Sequence, residues 1–417
     1  MVRSGRTRTR VLLIAITSLS LSLTPAGSPV NAQQTDGQLG PLECTSGFAG
    51  RFPCKNVDLL SNVPLGRLGG GTGNDIWGWT DPSSGDEYAI VGTGKGTAFV
   101  DVSVPTAPRV LGILPTHTNA SFWRDIKVFE DHAFIVADFA GAHGMQIFDL
   151  TQLRDLTPST GLRRFSETAH YPGFGSAHNV AINEETGFAY AVGSNTCGGG
   201  LHMVDVSDPT NPSFAGCFAD EGYTHDVQCV VYGGPDFDHN GQEICFASNP
   251  DTDEGNAVSI VNVTNKSSPT LLGRATYPGG DYSHQGWLTD DHATFVHNDE
   301  GDELTFGHNT RTRFFDVSDL EHPTFDFFQE LRTPAIDHNL YIVGDHVFEA
   351  NYRAGLQILK MDLANERAPE VAYFDIYPQN DFTHYNGAWS NYPFFASGIV
   401  IVSGIEQGLF VLQPNLE

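Results

Sequence analysis

The stretch "GLHMVDVSDPTNP", residues 200–212, decides the fold, because its pattern returns along the whole chain. It joins a short apolar run to an Asp/Ser/Pro turn, and a second apolar run, "SFAGCF", follows it. Short apolar runs bounded by turn residues are typical of β-strands. The other copies begin at Phe99, Ile147, Ile260, Phe314, Ile358 and Phe410. Seven copies at intervals of about fifty residues indicate a repeat architecture.

Each copy is preceded by two further predicted strands. "NVAINEETGFAYAVG", from Asn179, shows the pattern: two apolar runs separated by a turn of Asn, Glu and Gly. One unit therefore contains four antiparallel strands, and helical periodicity is almost absent. Radial repetition of such units predicts an all-β, seven-bladed β-propeller.

The last unit lacks a strand that the first residues of the propeller can supply. From Asn386 to the end of the chain, the sequence provides three strands only. "NVDLLSNVPLG", from Asn56, reads like the fourth strand of the other units. We expect this N-terminal strand to complete the last blade, which would leave no open sheet edge there.

The beginning of the chain is predicted to be a signal peptide, residues 1–32. Four arginines precede the apolar run "VLLIAITSLSLSL", and small residues precede a cleavage position after Ala32. An N-terminal extension, residues 33–55, and the propeller, residues 56–417, follow. No second long apolar segment is present, so we expect an exported protein, extracellular or periplasmic, without a membrane span.

Charge and cysteine content agree with export. The chain has 22 Lys and Arg against 50 Asp and Glu, a formal net charge of −28, which argues against nucleic acid as a partner. Six cysteines in an exported chain indicate disulfides, although sequence alone does not fix their pairing. Nearness along the chain favours Cys44–Cys54, Cys197–Cys217 and Cys229–Cys245.

Several segments resemble a known repeat. "GTAFVDVSVPTAP", residues 96–108, "GLHMVDVSDPTNP" and "GLQILKMDL", residues 355–363, are similar to the LVIVD repeat. From about Cys44 to its end, the chain resembles the choice-of-anchor B family of exported bacterial repeat proteins. The resemblance implies the propeller architecture and export, but it implies no particular reaction.

The predicted blade starts carry a repeated pair of polar residues. In a propeller, the innermost strand of each blade lines a central channel, so residues about fifty apart meet on one ring. The second members of the pairs are Asp75, Asp125, Asn179, Asp226, Gln285, Asn339 and Asn386. The first members include His178, His225, His284 and His338.

Two interpretations of this ring remain open. The carboxylates and amides can bond to backbone groups of the next blade, because strand ends leave unpaired donors and acceptors. The histidines need not follow from that demand, since blades one, two and seven have Asn, Arg and Tyr instead. Four imidazoles together suit a divalent transition metal or a substrate anion.

Other acidic residues extend the candidate site. Loops between the second and third strands open on the histidine-bearing face, and the predicted binding face combines the ring residues with Asp138, Asp299 and Arg353. A separate segment, "PDFDHNGQE", has oxygen-bearing side chains near a glycine and partly resembles a calcium loop. Its candidate ligands are Asp236, Asp238, Asn240 and Glu243.

The predicted function is that of a binding scaffold. G-x-S-x-G, P-loop and H-E-x-x-H motifs are missing from the sequence. We therefore expect a monomer that presents its acidic, histidine-bearing face to an extracellular protein, a glycan or a cation. The alternative is a metal-dependent lyase or oxidase that uses the histidine ring, with Asp226 as its base.

Overall fold

Each described copy of the repeated motif forms the third strand of a four-stranded sheet. The computed structural model describes residues 39–154, 156 and 162–416, so the predicted signal peptide lies outside the described residues. In the third blade, the motif strand Leu201–Asp205 pairs with Phe188–Val192 on one side and Ser213–Phe218 on the other. This is the predicted order of strands within a blade.

Seven sheets, each with four antiparallel strands, form the molecule, so the predicted all-β, seven-bladed propeller is confirmed. In blade 1, the short strand Arg163–Arg164 adds to the outer edge, parallel to Arg109–Pro115. From the innermost strand outward, blade 1 contains Gly73–Thr80, Glu87–Thr93, Gly96–Asp101 and Arg109–Pro115, and blade 2 contains Arg124–Phe129, His132–Ala137, Met145–Asp149 and Ala169–Tyr171. In the same order, blade 3 contains Asn179–Asn183, Phe188–Val192, Leu201–Asp205 and Ser213–Phe218, and blade 4 contains Asp226–Val231, Glu243–Thr252, Gly255–Asn262 and Thr270–Thr276. Blade 5 contains Ser283–Leu288, Thr294–Asp299, Arg311–Asp316 and Thr324–Glu330, and blade 6 contains Leu340–Val343, His346–Ala350, Leu356–Lys360 and Glu370–Phe374. Blade 7 contains Ala388–Tyr392, Val400–Gly404, Gly408–Pro414 and, as its outer strand, Val57–Val63.

Helices are short throughout the described residues. The α-helix Asp302–Phe306 lies between the second and third strands of blade 5. The 3-10 turns are Leu65–Leu68, Leu150–Leu153, Cys197–Gly199, Phe237–His239 and Leu363–Asn365. No helix of the described residues has the length and apolar character to cross a bilayer.

The N-terminal strand closes the ring as predicted. Val57–Val63 pairs antiparallel with Gly408–Pro414 and becomes the outer strand of blade 7. Leu39 and Leu42 bridge to the other edge of this closing strand. Two more strands, Phe48–Ala49 and Phe52–Lys55, add to the outer edge of blade 6, so the extension shields sheet edges that would otherwise be exposed.

All three predicted disulfides are present. Cys44–Cys54 closes a loop within the N-terminal extension, and Cys197–Cys217 ties a 3-10 turn to the outer strand of blade 3. Cys229–Cys245 links the two innermost strands of blade 4, where the two residues are direct cross-strand partners.

Apolar side chains fill the spaces between neighbouring blades. Val136 and Ile147 of blade 2, for example, share a buried cluster with Val180 and Ala191 of blade 3. The innermost strands of successive blades contact one another around the whole ring, and the last contacts the first. This closed ring brings the seven blade starts to a common hub.

Candidate functional site

The four predicted histidines form an arc of tilted, neighbouring rings at the hub. Each lies at or just before the start of an innermost strand, in blades 3 to 6. Ring centroids are 4.4 Å apart for His178 and His225, 4.2 Å for His225 and His284, and 4.4 Å for His284 and His338. The prediction that radial repetition gathers these side chains is therefore confirmed in its geometry.

One nitrogen of every imidazole in the arc is occupied by an oxygen acceptor. Because these oxygens accept, each ring donates its Nδ1–H, and Nε2 of a neutral ring keeps its lone pair. The acceptors are Asp138 Oδ2 for His178 (3.0 Å), the His284 carbonyl for His225 (2.9 Å), Asn298 Oδ1 for His284 (3.2 Å) and the Trp389 carbonyl for His338. Such second partners fix the ring orientation of metal-binding histidines.

Burial keeps three of these imidazoles neutral. His225, His284 and His338 are each 3% exposed or less. Desolvation lowers the pKa of His338 to about 3 and holds the pKa of His225 and His284 well below the ordinary value, and neighbouring imidazoles add to the effect. At neutral pH, these rings are therefore electron-pair donors rather than cations.

Glu300 brings a carboxylate to the same place. It follows the second strand of blade 5, and its two oxygens lie 3.8 Å from His284 Nε2 and 3.6 Å from His338 Nε2. The Tyr352 hydroxyl donates to Oε1 of Glu300 at 2.5 Å. Desolvation raises the pKa of Glu300 to about 7, so a proton or a cation is favoured beside it.

These donors fit a divalent transition metal. Ligand atoms of His225, His284 and Glu300 all lie within 4.8 Å of one another. Bonds of about 2.0–2.2 Å would hold such atoms roughly 3–4 Å apart, so small shifts of the side chains suffice. Imidazole and carboxylate donors are the set used for Zn, Fe and related ions.

Glu300 is not among the metal ligands predicted from the sequence. Its signal is weak, because it is one of five acidic or amide residues between Asn298 and Glu303. Only the turn after Asp299 shows which of them faces the imidazoles.

The second residues of the blade-start pairs act mainly as links between blades. Asp75 accepts the Ile126 amide of the next blade, and Asp125 accepts the Val180 amide. Gln285 bonds to both backbone groups of Leu340. Asn179 likewise donates to the His225 carbonyl at 3.0 Å. These four side chains support the backbone-linking interpretation, and they lie inside the ring rather than on an exposed binding face.

The other predicted binding-face residues are divided between scaffold and surface. Asp299 is fully buried and accepts the Tyr277 hydroxyl and three backbone amides, so it belongs to the scaffold. Asn339 is also buried. Asn386 accepts from the partly exposed Arg353 and donates to Glu406, while Asp138 holds His178.

Asp226 faces a cavity that is separate from the arc of hub imidazoles. With Lys127, Trp77, Trp287 and Tyr341, it lines a cavity of about 370 Å³ that none of the four hub imidazoles lines. Desolvation, followed by the charge of Asp125, raises the pKa of Asp226 to about 7. Asp226, the base predicted for the enzyme alternative, therefore lines this cavity and not the histidine arc.

The predicted calcium ligands do not converge. Glu243 is buried between blades 3 and 4, where it binds Lys266 at 2.5 Å and accepts from Tyr190, Thr186 and Asn183. The physical reason is that Glu243 starts the second strand of blade 4, where its side chain balances the Lys266 ammonium of the same blade and bonds to side chains of blade 3. Asp236 instead accepts the Leu320 amide at 3.0 Å, while Asp238 and Asn240 are exposed.

Comparison with known proteins supports the repeat and the fold. Residues 174–220 and 252–276 match the family model of the LVIVD repeat. No curated protein matches the chain. A functionally unknown protein from Desulfotomaculum acetoxidans is similar in structure, with 11% identity, a TM-score of 0.52 and coverage of 77% of this chain and 95% of that chain.

Two further solved structures share the architecture. Hydrazine synthase from Kuenenia stuttgartiensis has 10% identity and a TM-score of 0.56 over 79% of this chain and 93% of that chain. The β-propeller domain of Cps50 (Swd1) from Myceliophteria thermophila has 10% identity and a TM-score of 0.53 over 82% and 96%. At such identities, the likeness concerns the fold alone.

Proposed function

We propose that this protein is an exported propeller of the choice-of-anchor B family that binds a divalent transition-metal ion at its hub. The observation that carries the proposal is the convergence of His225, His284 and Glu300, with His338 as a further donor. Two features make the arrangement suitable for an ion: each Nδ1 is already bonded, and the partly buried carboxylate of Glu300 lies beside the Nε2 atoms of His284 and His338.

The position of the hub makes the metal part of a binding scaffold. Asp138 and Glu300 give the histidine-bearing opening its negative charge, and their side chains are 14% and 17% exposed. A cation entering there gains from both carboxylates before it reaches the imidazoles. This face would then present the metal to an extracellular protein or glycan.

Export is supported by two independent features. Three disulfides are typical of proteins that mature in an oxidising compartment. The basic and apolar pattern of residues 1–32 has the form of a cleaved signal peptide. Detection of the mature protein outside the cytoplasm, with a new N-terminus after Ala32, tests this part of the proposal.

Metal analysis tests the hub directly. The protein is purified without chelator, its metals are quantified, and binding to the metal-free protein is measured by calorimetry with Zn²⁺, Mn²⁺ and Fe²⁺. We expect one tightly bound ion per chain, with affinity at least tenfold lower in His284→Ala and Glu300→Gln. His322→Ala is the control, because this histidine is 82% exposed and lies outside the hub.

A folded protein that binds none of these ions would contradict the proposal, as would unchanged affinity in both hub variants. In that case the hub histidines serve packing alone, and the scaffold function rests on protein or glycan contacts.

A further inference from the structure

Three buried carboxyl groups, close in sequence to the hub residues Glu300 and His338, form a second cluster. Asp302 and Glu303 begin the short helix of blade 5, and Asp337 precedes the hub residue His338. Asp302 and Asp337 are fully buried, and Glu303 is 2% exposed. Their ligand atoms lie within 4.8 Å of one another.

Most oxygens of this cluster have no partner among the described residues. Both oxygens of Asp337, both oxygens of Glu303 and Oδ1 of Asp302 are buried without a hydrogen bond. Buried polar atoms in folded proteins are almost always bonded, so five such oxygens at one point require an explanation. Their convergence indicates a ligand that all of them can bind.

The charge of the cluster is only partly balanced. Arg313 donates to Oδ2 of Asp302 and stacks over Tyr277, with its guanidinium carbon 5.0 Å from the ring. His308 Nε2 lies 3.4 Å from the same Oδ2. Ionised carboxylates buried without compensation are unfavourable by several kcal/mol each. One arginine cannot offset three of them, which leaves room for a divalent cation.

A neighbouring acid shows the contrast. Asp299 is equally buried, but its oxygens accept the Tyr277 hydroxyl and the backbone amides of Asp281, Tyr282 and Gly301. A carboxylate in this region that serves the scaffold alone is therefore fully hydrogen-bonded, unlike Glu303 and Asp337.

We propose that Asp302, Glu303 and Asp337 bind a hard divalent cation, Ca²⁺, through oxygen ligands. Carboxylates from two separate segments are the donors that Ca²⁺ prefers, and the ion would tie the helix of blade 5 to the start of blade 6. This site is independent of the proposed hub metal, because it shares no ligand with it. It also differs from the Asp236 segment that the sequence suggested for calcium.

The competing state is a cluster neutralised by protons. Desolvation, and then the charge of Asp302, raises the pKa of Glu303 to about 10, so protons and Ca²⁺ would compete for the same oxygens. The two states differ in their response to added calcium, which makes them separable by experiment.

Thermal unfolding and calorimetry of the full mature protein, freed of metals with a chelator, test the proposal. We expect 1 mM CaCl₂ to raise the Tm of the wild-type protein by roughly 5 °C. Asp337→Asn and Glu303→Gln are expected to lose this shift and to weaken calorimetric Ca²⁺ binding at least tenfold. Asp238→Asn, in the segment suggested by the sequence, is the matched control and should behave as wild type.

Two further variants keep the outcome decisive. His284→Ala should retain the calcium shift, which separates this site from the hub. If Asp337→Asn does not fold, Glu303→Asp, which keeps the charge and withdraws it by one methylene, should lower Ca²⁺ affinity at least tenfold. The proposal is overturned if wild type shows neither the shift nor calorimetric binding, or if Glu303 variants bind Ca²⁺ as wild type does.

Discussion

Glu349 is a buried carboxyl group whose protonation should make stability depend on pH near neutrality. It is 1% exposed, and it accepts from the Thr312 hydroxyl and the Asn351 amide. Desolvation nevertheless raises its pKa from 4.5 to about 7. Between these two values the folded protein binds more protons than the unfolded chain, so the contribution of Glu349 to stability declines as pH rises.

Replacement of Glu349 by Gln should remove this dependence. Relative to the wild-type protein, we expect the variant to gain up to about 3 kcal/mol in unfolding free energy between pH 4.5 and pH 8. Urea unfolding at both pH values measures the difference, with exposed Glu43→Gln as the control. A difference between variant and wild type that does not change with pH would contradict the assignment.

At the scale of single residues, the sequence predicted the functional residues that recur from blade to blade and missed those that occur in one blade only. The hub histidines could be found because each occupies the same position in successive units. Glu300 and Asp337 occur in one blade each, and their roles depend on turns that sequence does not specify. Glu243 was misplaced for a similar reason: its partner, Lys266, lies in a neighbouring turn and is visible only once the strands are paired.

The outer strands of blades 3 and 4 each contain a glycine, Gly216 or Gly273, that packs against the neighbouring blade. A β-bulge between the third and fourth strands recurs in the described blades, for example at Met203/Val204 and Ile260/Val261. Opposite it, a Cβ on Gly216 would stand 1.8 Å from the Lys266 carbonyl, and one on Gly273 would stand 2.4 Å from the Leu320 carbonyl. The turn between the third and fourth strands of the next blade therefore packs directly on the glycine.

Gly216→Ala should accordingly destabilise the protein. We expect a loss of about 1–3 kcal/mol in unfolding free energy, because backbone atoms must move to admit the methyl group. Gly233→Ala is the matched control, since a Cβ there meets no atom within 4 Å. Equal stability of the two variants in urea unfolding would show that the turn does not pack against Gly216.

The strands and turns of each blade were predictable from sequence, but this contact between blades was not.

The ring as a whole depends on the N-terminal strand. Leu59 is fully buried in the strand that completes blade 7, and it is paired with Leu412. Leu59→Ala removes apolar contacts that hold the two ends of the propeller together, and we expect a loss of about 2–5 kcal/mol. Leu271→Ala, on the outer strand of blade 4 and 36% exposed, is the control.

A loss at Leu59 no larger than at Leu271 would contradict the role of this strand in closure. The closure itself was predictable, because seven repeats with one strand missing leave a single suitable segment near the beginning of the chain. Such counting needs no side-chain detail, which explains why the whole-molecule prediction was the most complete.

X-ray absorption at the edge of the bound metal tests the central claim most directly. For protein loaded with one Zn²⁺ per chain, the hub predicts two or three imidazole nitrogens at about 2.0–2.1 Å and at least one carboxylate oxygen. The nitrogen shell should lose one member in His284→Ala. A first shell made only of oxygens, or one that His284→Ala leaves unchanged, would place the ion elsewhere and contradict the account.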